Sequence, residues 1–181
     1  MLKQELCQFL ELELKTSYNT HEINNLANYF IAHWKETQKQ QVIHLKDLRN
    51  EKWILDWVFR LQSGEPIQYI SGIAPFINLN LKINRDVLIP RSETEELAHK
   101  IYLENKEFNS LKVLDIGSGS GCISLYLKSK KNDWELSGID VSKTAVDCSV
   151  ENAKRLQLDV EYRISDFLNV NEWPEKSMIL L

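Results

Sequence analysis

Apolar positions change period along the chain. Leu2, Leu6, Phe9, Leu10 and Leu14 recur at the spacing that lines one face of a helix. Thr16 to Thr20 makes a polar break, after which Ile23, Leu26, Ala27, Phe30, Ile31 and Trp34 repeat the pattern. Gln38 to Gln41 then connects to a third helix with Leu48, Trp53, Ile54, Trp57, Val58 and Leu61 on one face, ended by Gly64. A small helical bundle is predicted, and Trp53 and Trp57 fall where large aromatics fill the centre of one. Gly64-Glu-Pro-Ile-Gln-Tyr-Ile-Ser-Gly72 has breakers at both ends and reads as a shaped turn leaving the bundle. Beyond it the period drops to two. Ile77, Leu79, Leu81 and Ile83 alternate with polar residues, Asn84-Arg-Asp86 can turn, and Val87-Leu-Ile89 can return as the second strand of a hairpin, stopped by Pro90. Ser92 and Glu95 then have the capping-box spacing that opens a helix.

The next pattern is a strand running into a glycine loop. Val113, Leu114 and Ile116 suit a buried parallel strand, and Gly117-Ser-Gly-Ser-Gly121 follows, before Ile123, Leu125 and Leu127 carry the chain away on a helix. Such a loop lets a ligand approach the backbone at a helix N-terminus. Dinucleotide sites use Gly-x-Gly-x-x-Gly, whereas here Asp115 precedes Gly-x-Gly-x-Gly. This acid-then-glycine form resembles motif I of the class I S-adenosylmethionine methyltransferases; the plainer reading is an ordinary glycine-rich turn. A short strand, Trp134 to Asp140, ends in a carboxylate about 20 residues past the loop, where an acid can accept from both ribose hydroxyls. Asp140 is thus a candidate ribose ligand or a helix cap, although Ser142 could equally cap the helix through Ala145, Val146, Cys148, Val150, Ala153 and Leu156. A third strand, Val160 to Ile164, leads to Ser165-Asp166-Phe167, which on its own reads as a surface turn.

Composition narrows the classes. The 181 residues are 43% apolar and 27% charged, ordinary for a globular protein, with no run of about 18 apolar residues and no signal-like start, so a cytoplasmic protein away from membranes is expected. Cys7, Cys122 and Cys148 are odd in number and lie in helical patterns, so buried thiols are expected. His21, His33, His44 and His99 lack ligand spacing, so no metal is expected. A net charge of −4 argues against broad nucleic-acid binding. The expected organisation is a helical domain over 1–72, a hairpin linker over 73–90 and an α/β domain over 91–181, which the resemblance to class I methyltransferases implies to be the first half of a Rossmann-like methyltransferase sheet.

Three stretches in order give a specific likeness. A helical first domain, then Arg60-x-x-x-Gly-Glu-Pro-Ile-x-Tyr-Ile-x-Gly72, Leu88-Ile-Pro-Arg-Ser-Glu-Thr-Glu-Glu-Leu97 and Asp115-Ile-Gly-Ser-Gly-Ser-Gly121 resemble the release factor glutamine methyltransferases. That family transfers a methyl group from S-adenosylmethionine to the amide of the glutamine in the Gly-Gly-Gln motif of peptide chain release factors. The resemblance implies that Asp115, Gly117, Ser118, Gly119, Ser120, Gly121, Asp140, Asp166 and Phe167 hold the cofactor, Asp166 at the adenine amino group and Phe167 against the ring. It also implies that Arg91, Glu93 and Thr94 lie beside the pocket; the helical domain, placed ahead of a catalytic one, reads as a substrate-positioning domain, with simple scaffolding as the plainer alternative.

The family's amide-orienting Asn-Pro-Pro-Tyr does not occur in the sequence. Ser177-Met-Ile-Leu-Leu181, back-translated and read two bases on, forces an Asp codon and permits Tyr-Asp-Ile-Ile, the kind of strand that precedes that tetrapeptide. The expectation is a chain cut short by a frameshift near Lys176, inactive, weak or lacking in cofactor binding, and prone to associate through Val113 to Ile116 as an unpaired edge. Two other classes share parts of the pattern. Adenine-specific DNA methyltransferases use the same loop and tetrapeptide. A non-catalytic release-factor-binding module would need only the helical domain.

Overall fold

The computed structural model describes residues 2–37, 51–168 and 179–180. The expected connection Gln38 to Gln41, Leu48 and the segment before Ile179 lie outside the described residues. Two compact units divide the chain, Met1–Ser71 and Gly72–Leu181.

The first unit is helical: α1 (Leu2–Leu14), α2 (Thr20–Thr37), α3 (Lys52–Gln62) and α4 (Ile67–Ser71). Its helices bury the stripes set by their apolar spacing, with Leu10, Leu14, Ile23, Phe30, Ile54 and Leu61 all nearly inaccessible. Trp57 packs edge-on against Phe30 and Trp53, at ring separations of 4.9 and 5.4 Å. A reciprocal cap opens α2: Asn19 Oδ1 accepts from the Glu22 N–H at 3.0 Å and Glu22 Oε2 accepts from the Asn19 N–H at 2.7 Å. Gly64, with φ of 80°, closes α3. The stretch to Gly72 is not merely a turn, because Ile67 and Ile70 give α4 two anchors in the bundle core. Arg60 and Glu65 explain the spacing of that stretch. Their bidentate pair, at 2.7 and 2.8 Å, holds the end of α3 against the chain entering α4.

The second unit begins with a hairpin, β1 (Ile73–Phe76) and β2 (Leu79–Lys82), paired from Ile73↔Lys82 to Phe76↔Leu79. This corrects the expected hairpin, whose strands were Ile77–Ile83 and Val87–Ile89. The turn falls at Ile77-Asn78, with Ile77 at φ of 53°, a conformation a β-branched residue seldom adopts. Glu95 supports that turn, its Oε1 accepting from the Ile77 N–H at 2.9 Å. The same bond overturns the expected capping box: α5 (Ser92–Asn105) starts at Arg91 with no side-chain cap, while Glu95 serves the hairpin.

The sheet follows as β3 (Lys112–Ile116), α6 (Cys122–Lys130), β4 (Glu135–Asp140), α7 (Lys143–Leu156), β5 (Glu161–Ile164) and β6 (Ile179–Leu180). Its order is β5-β4-β3-β6, all parallel, and the fold class is α/β. The expected unpaired edge on β3 is therefore not what the structure shows, since Val113 and Leu114 pair with Ile179 and Leu180. Phe76, Leu79 and Leu81 of the hairpin join Leu125, Tyr126, Leu127 and Trp134 in this unit's core. Buried Lys128 donates to the Asn132 and Trp134 carbonyls at 3.0 and 2.7 Å, which ties the end of α6 to the start of β4.

Candidate cofactor site

The carboxyl ends of β3, β4 and β5 converge on the glycine loop, the position where open parallel sheets bind ligands. Gly117, Gly119 and Gly121 have φ of 71°, 54° and 78°, so each adopts a conformation costly for any side-chain-bearing residue. Space separates their roles. A Cβ on Gly117 would meet nothing within 4 Å, so that glycine leaves the loop open to a ligand. A Cβ on Gly121 would lie 2.5 Å from Tyr162 Oη and 3.1 Å from Leu125 Cδ1. The third glycine thus serves the protein's own packing. Gly138 in β4 does likewise, for its Cβ would strike the Tyr162 ring at 2.5 Å.

Under the loop runs a buried polar chain. Asp115 Oδ2 accepts from Ser124 Oγ at 2.8 Å and from the Ser124 N–H at 3.3 Å, and Ser124 Oγ lies 2.8 Å from Tyr162 Oη. Burial raises the Asp115 carboxyl above its ordinary pKa; the two Ser124 bonds oppose this and the charge of Asp140 adds to it. Tyr162 is also pushed well up by burial. Cys122, the first residue of α6, reaches about 12 through burial and the neighbouring Asp115 charge. Ser118 Oγ is buried with no hydrogen-bond partner, leaving one loop hydroxyl with bonding capacity unused.

The loop amides face inward. The Gly117 and Ser118 N–H groups donate to the Ile139 carbonyl at 2.8 and 3.0 Å, and the Gly121 N–H to the Ser118 carbonyl at 2.7 Å. Asp140 takes the Gly119 N–H at 3.0 Å on one oxygen and the Ser142 N–H at 2.9 Å on the other. Each oxygen keeps a lone pair for a further donor. The capping alternative for Asp140 falls away, because Ser142 Oγ caps α7 by accepting from the Ala145 N–H at 3.3 Å. Consumed amides beside a carboxylate disfavour a phosphate and favour a ligand that offers hydroxyl donors or positive charge.

Other expected residues spread around this centre. The Ser165 N–H donates to the Asp140 carbonyl at 3.1 Å, which brings the Asp166 turn alongside. Asp166 is exposed and accepts from the Leu168 N–H at 2.9 Å, closing a local turn. Val141, Ile164 and Phe167 are exposed apolar side chains next to these two acids in sequence. Ser120 is buried, with its carbonyl bonded to Asn152 at 3.0 Å. Arg91 and Glu93 are exposed and Thr94 half-buried on the first turn of α5. Ser92 Oγ donates to Glu93 at 3.2 Å, and backbone bonding together with this contact lowers the Glu93 pKa. Among the described residues, no hydrogen bond joins Arg91, Glu93 or Thr94 to the loop. Ser124, Gly138, Asn152 and Tyr162 were not singled out from the sequence. Asn152 left one signal, a polar amide in the buried stripe of α7, where it must find partners. No group of three or more His, Cys, Asp or Glu able to hold a metal occurs among the described residues, and none of the described helices is long and apolar enough to cross a membrane.

Residues 95–180, which carry the acid-flanked glycine loop and its parallel sheet, match the family described as the methyltransferase small domain. More particularly, the chain is a relative of the bacterial release factor glutamine methyltransferases. It is 38% identical over 151 residues to that of Lactococcus lactis, covering 83% of this chain and 52% of the relative. Against the Streptococcus pneumoniae protein the identity is 43% over 123 residues, 67% of this chain and 44% of the relative. The Flavobacterium psychrophilum protein matches at 29% over 188 residues, 100% of this chain and 66% of its own length. The chain spans about half the length of the first two of these curated relatives.

Proposed function

We propose that the second unit binds S-adenosylmethionine and that the chain serves methylation of the glutamine amide in the Gly-Gly-Gln motif of peptide chain release factors, in the cytoplasm. The observation that carries this reading is Asp140, a carboxylate with unused lone pairs held at a loop in which the Gly117, Ser118, Gly119 and Gly121 amides are already engaged. When bound, the cofactor supplies an electrophilic methyl group on a sulfonium. The fit is favourable: the open face at Gly117 admits the ligand and Asp140 can take ribose hydroxyls. Asp166 would accept from the adenine amino group, with Phe167, Val141 and Ile164 offering apolar contact to the ring. Asp115, tied to Ser124, fixes the start of α6 beneath the loop and leaves Gly117 to Gly121 in one shape. Arg91, Glu93 and Thr94 would line the approach of the substrate peptide, and the helical unit would grip the release factor.

An amide nitrogen is a weak nucleophile because its lone pair is delocalised, so transfer depends on orienting it towards the methyl. The family's orienting tetrapeptide is not among these 181 residues, so the decisive measurement on this chain is cofactor binding. Because β3 is paired with β6 and is not the bare edge from which weak or absent binding was expected, calorimetric titration with S-adenosylmethionine should give saturable binding. Asp140→Ala should weaken it by about 1.5–3 kcal/mol, the range for a hydrogen bond involving a charge, and Asp140→Asn by less. A wild-type chain that ignores the cofactor, or equal affinity in all three proteins, would falsify this reading.

A further inference from the structure

One side-chain amide holds two distant segments of the second unit together. Asn152, on α7, is fully buried. Its Oδ1 accepts from the Lys82 N–H at 2.7 Å, and its Nδ2 donates to the Lys82 carbonyl at 2.9 Å and to the Ser120 carbonyl at 3.0 Å. By meeting both backbone groups of one residue, the amide imitates a neighbouring strand alongside β2. Its second N–H reaches into the glycine loop. Among side chains of this size only an amide offers one acceptor and two donors in a plane; Asp would lack the donors and Leu would lack everything.

The two ends of this clamp have different places in the site. Ser120 lies between the two last glycines of the loop, and its carbonyl can shift only if the loop shifts. Lys82 ends β2, where the hairpin hands over to the chain leading to Arg91, Glu93 and Thr94. We infer that Asn152 is a positioning residue that couples the shape of the cofactor loop to β2, so that a ligand seated on the loop is felt at the end of the hairpin. The inference rests on the reading of this loop as the S-adenosylmethionine site. Coupling of this kind is reciprocal, so loosening the hairpin end also weakens the ligand.

Hydrogen–deuterium exchange on the full 181-residue chain, paired with S-adenosylmethionine titration, tests it. In the wild type the Lys82 amide should exchange slowly without ligand, and added cofactor should slow it further together with the amides of Gly117 to Gly121. Asn152→Ala should quicken exchange at both places and weaken cofactor binding about tenfold or more, while β4 and β5 keep their wild-type rates. Asn152→Asp keeps the acceptor for the Lys82 N–H but loses the donors to the Lys82 and Ser120 carbonyls, so the loop, left with no bond to this side chain, should loosen more than the Lys82 amide. Unchanged loop exchange in both variants overturns the inference, and so does cofactor slowing at Lys82 that persists in Asn152→Ala. If Asn152→Ala lacks a cooperative melt, the wild-type ligand response and Asn152→Asp decide. Wild-type protein that ignores S-adenosylmethionine overturns the cofactor reading and the ligand coupling with it. In that case the ligand-free rates still judge the clamp, which fails if loss of the Asn152 amide leaves the loop unaffected.

Discussion

In the helical unit every buried side chain among the described residues is apolar, whereas the second unit buries Asp115, Ser118, Ser120, Ser124, Lys128, Ser149, Asn152 and Ser165 as well. Apolar burial stabilises without direction, and many packings of similar volume would serve. Buried polar groups cost free energy unless bonded, so each one that is satisfied fixes a geometry. The bundle is therefore built to be stable, while the space under the glycine loop is built to hold one shape. Substitutions in the two places should fail in different ways.

The largest effect is expected in the bundle. Leu10→Ala removes a side chain with no exposed surface and should cost about 2–5 kcal/mol, enough to abolish the cooperative melt of a fragment ending at Ser71. The same change in the full chain should leave cofactor affinity as it was. A fragment that melts normally with Leu10→Ala would erase the contrast. Next come the two ends of the loop. Gly121→Ala combines an unfavourable φ with a collision at Tyr162 and should cost about 2–4 kcal/mol, whereas Gly117→Ala bears only the backbone term of about 1–2 kcal/mol. Thermal unfolding of the pair measures the difference, and equal losses would contradict a division of labour between the glycines.

The smallest effect is a pH dependence. Burial raises the Asp115 pKa in the folded chain, so its contribution to stability is fully present below the ordinary carboxylate pKa of about 3.9 and is lost as pH rises through the raised value. Asp115→Asn stays neutral and can still accept from Ser124. It should therefore gain on the wild type as pH climbs from acid towards neutrality, read from melts over that range. Parallel curves would show that Asp115 carries no such linkage.

Local pattern made the glycine loop and Asp140 legible as candidates because each signal is the end of one strand and the turn that follows it. The Asn152 clamp lay beyond reach, since its partner Lys82 is 70 residues away and nothing near Asn152 points to it. Tyr162 was hidden for a related reason: its space is made by the absence of side chains at Gly121 and Gly138, on two other elements. The hairpin was misplaced because Ile77 continues the alternation of Leu79, Leu81 and Ile83, while two-residue turns usually announce themselves with Asn-Gly or Gly. Glu95 misled similarly, for Ser92-x-x-Glu95 has the spacing of a cap but Glu95 bonds the backbone of Ile77, whereas Asn19 and Glu22 form the reciprocal cap.

Cys122 opens α6, a position where a helix terminus ordinarily makes sulfur nucleophilic, yet its pKa stands at about 12. Burial and the neighbouring Asp115 charge thus favour the protonated thiol over the thiolate that peroxides and alkylating reagents attack. The thiol that directly follows the glycine loop is thereby held in its less nucleophilic form.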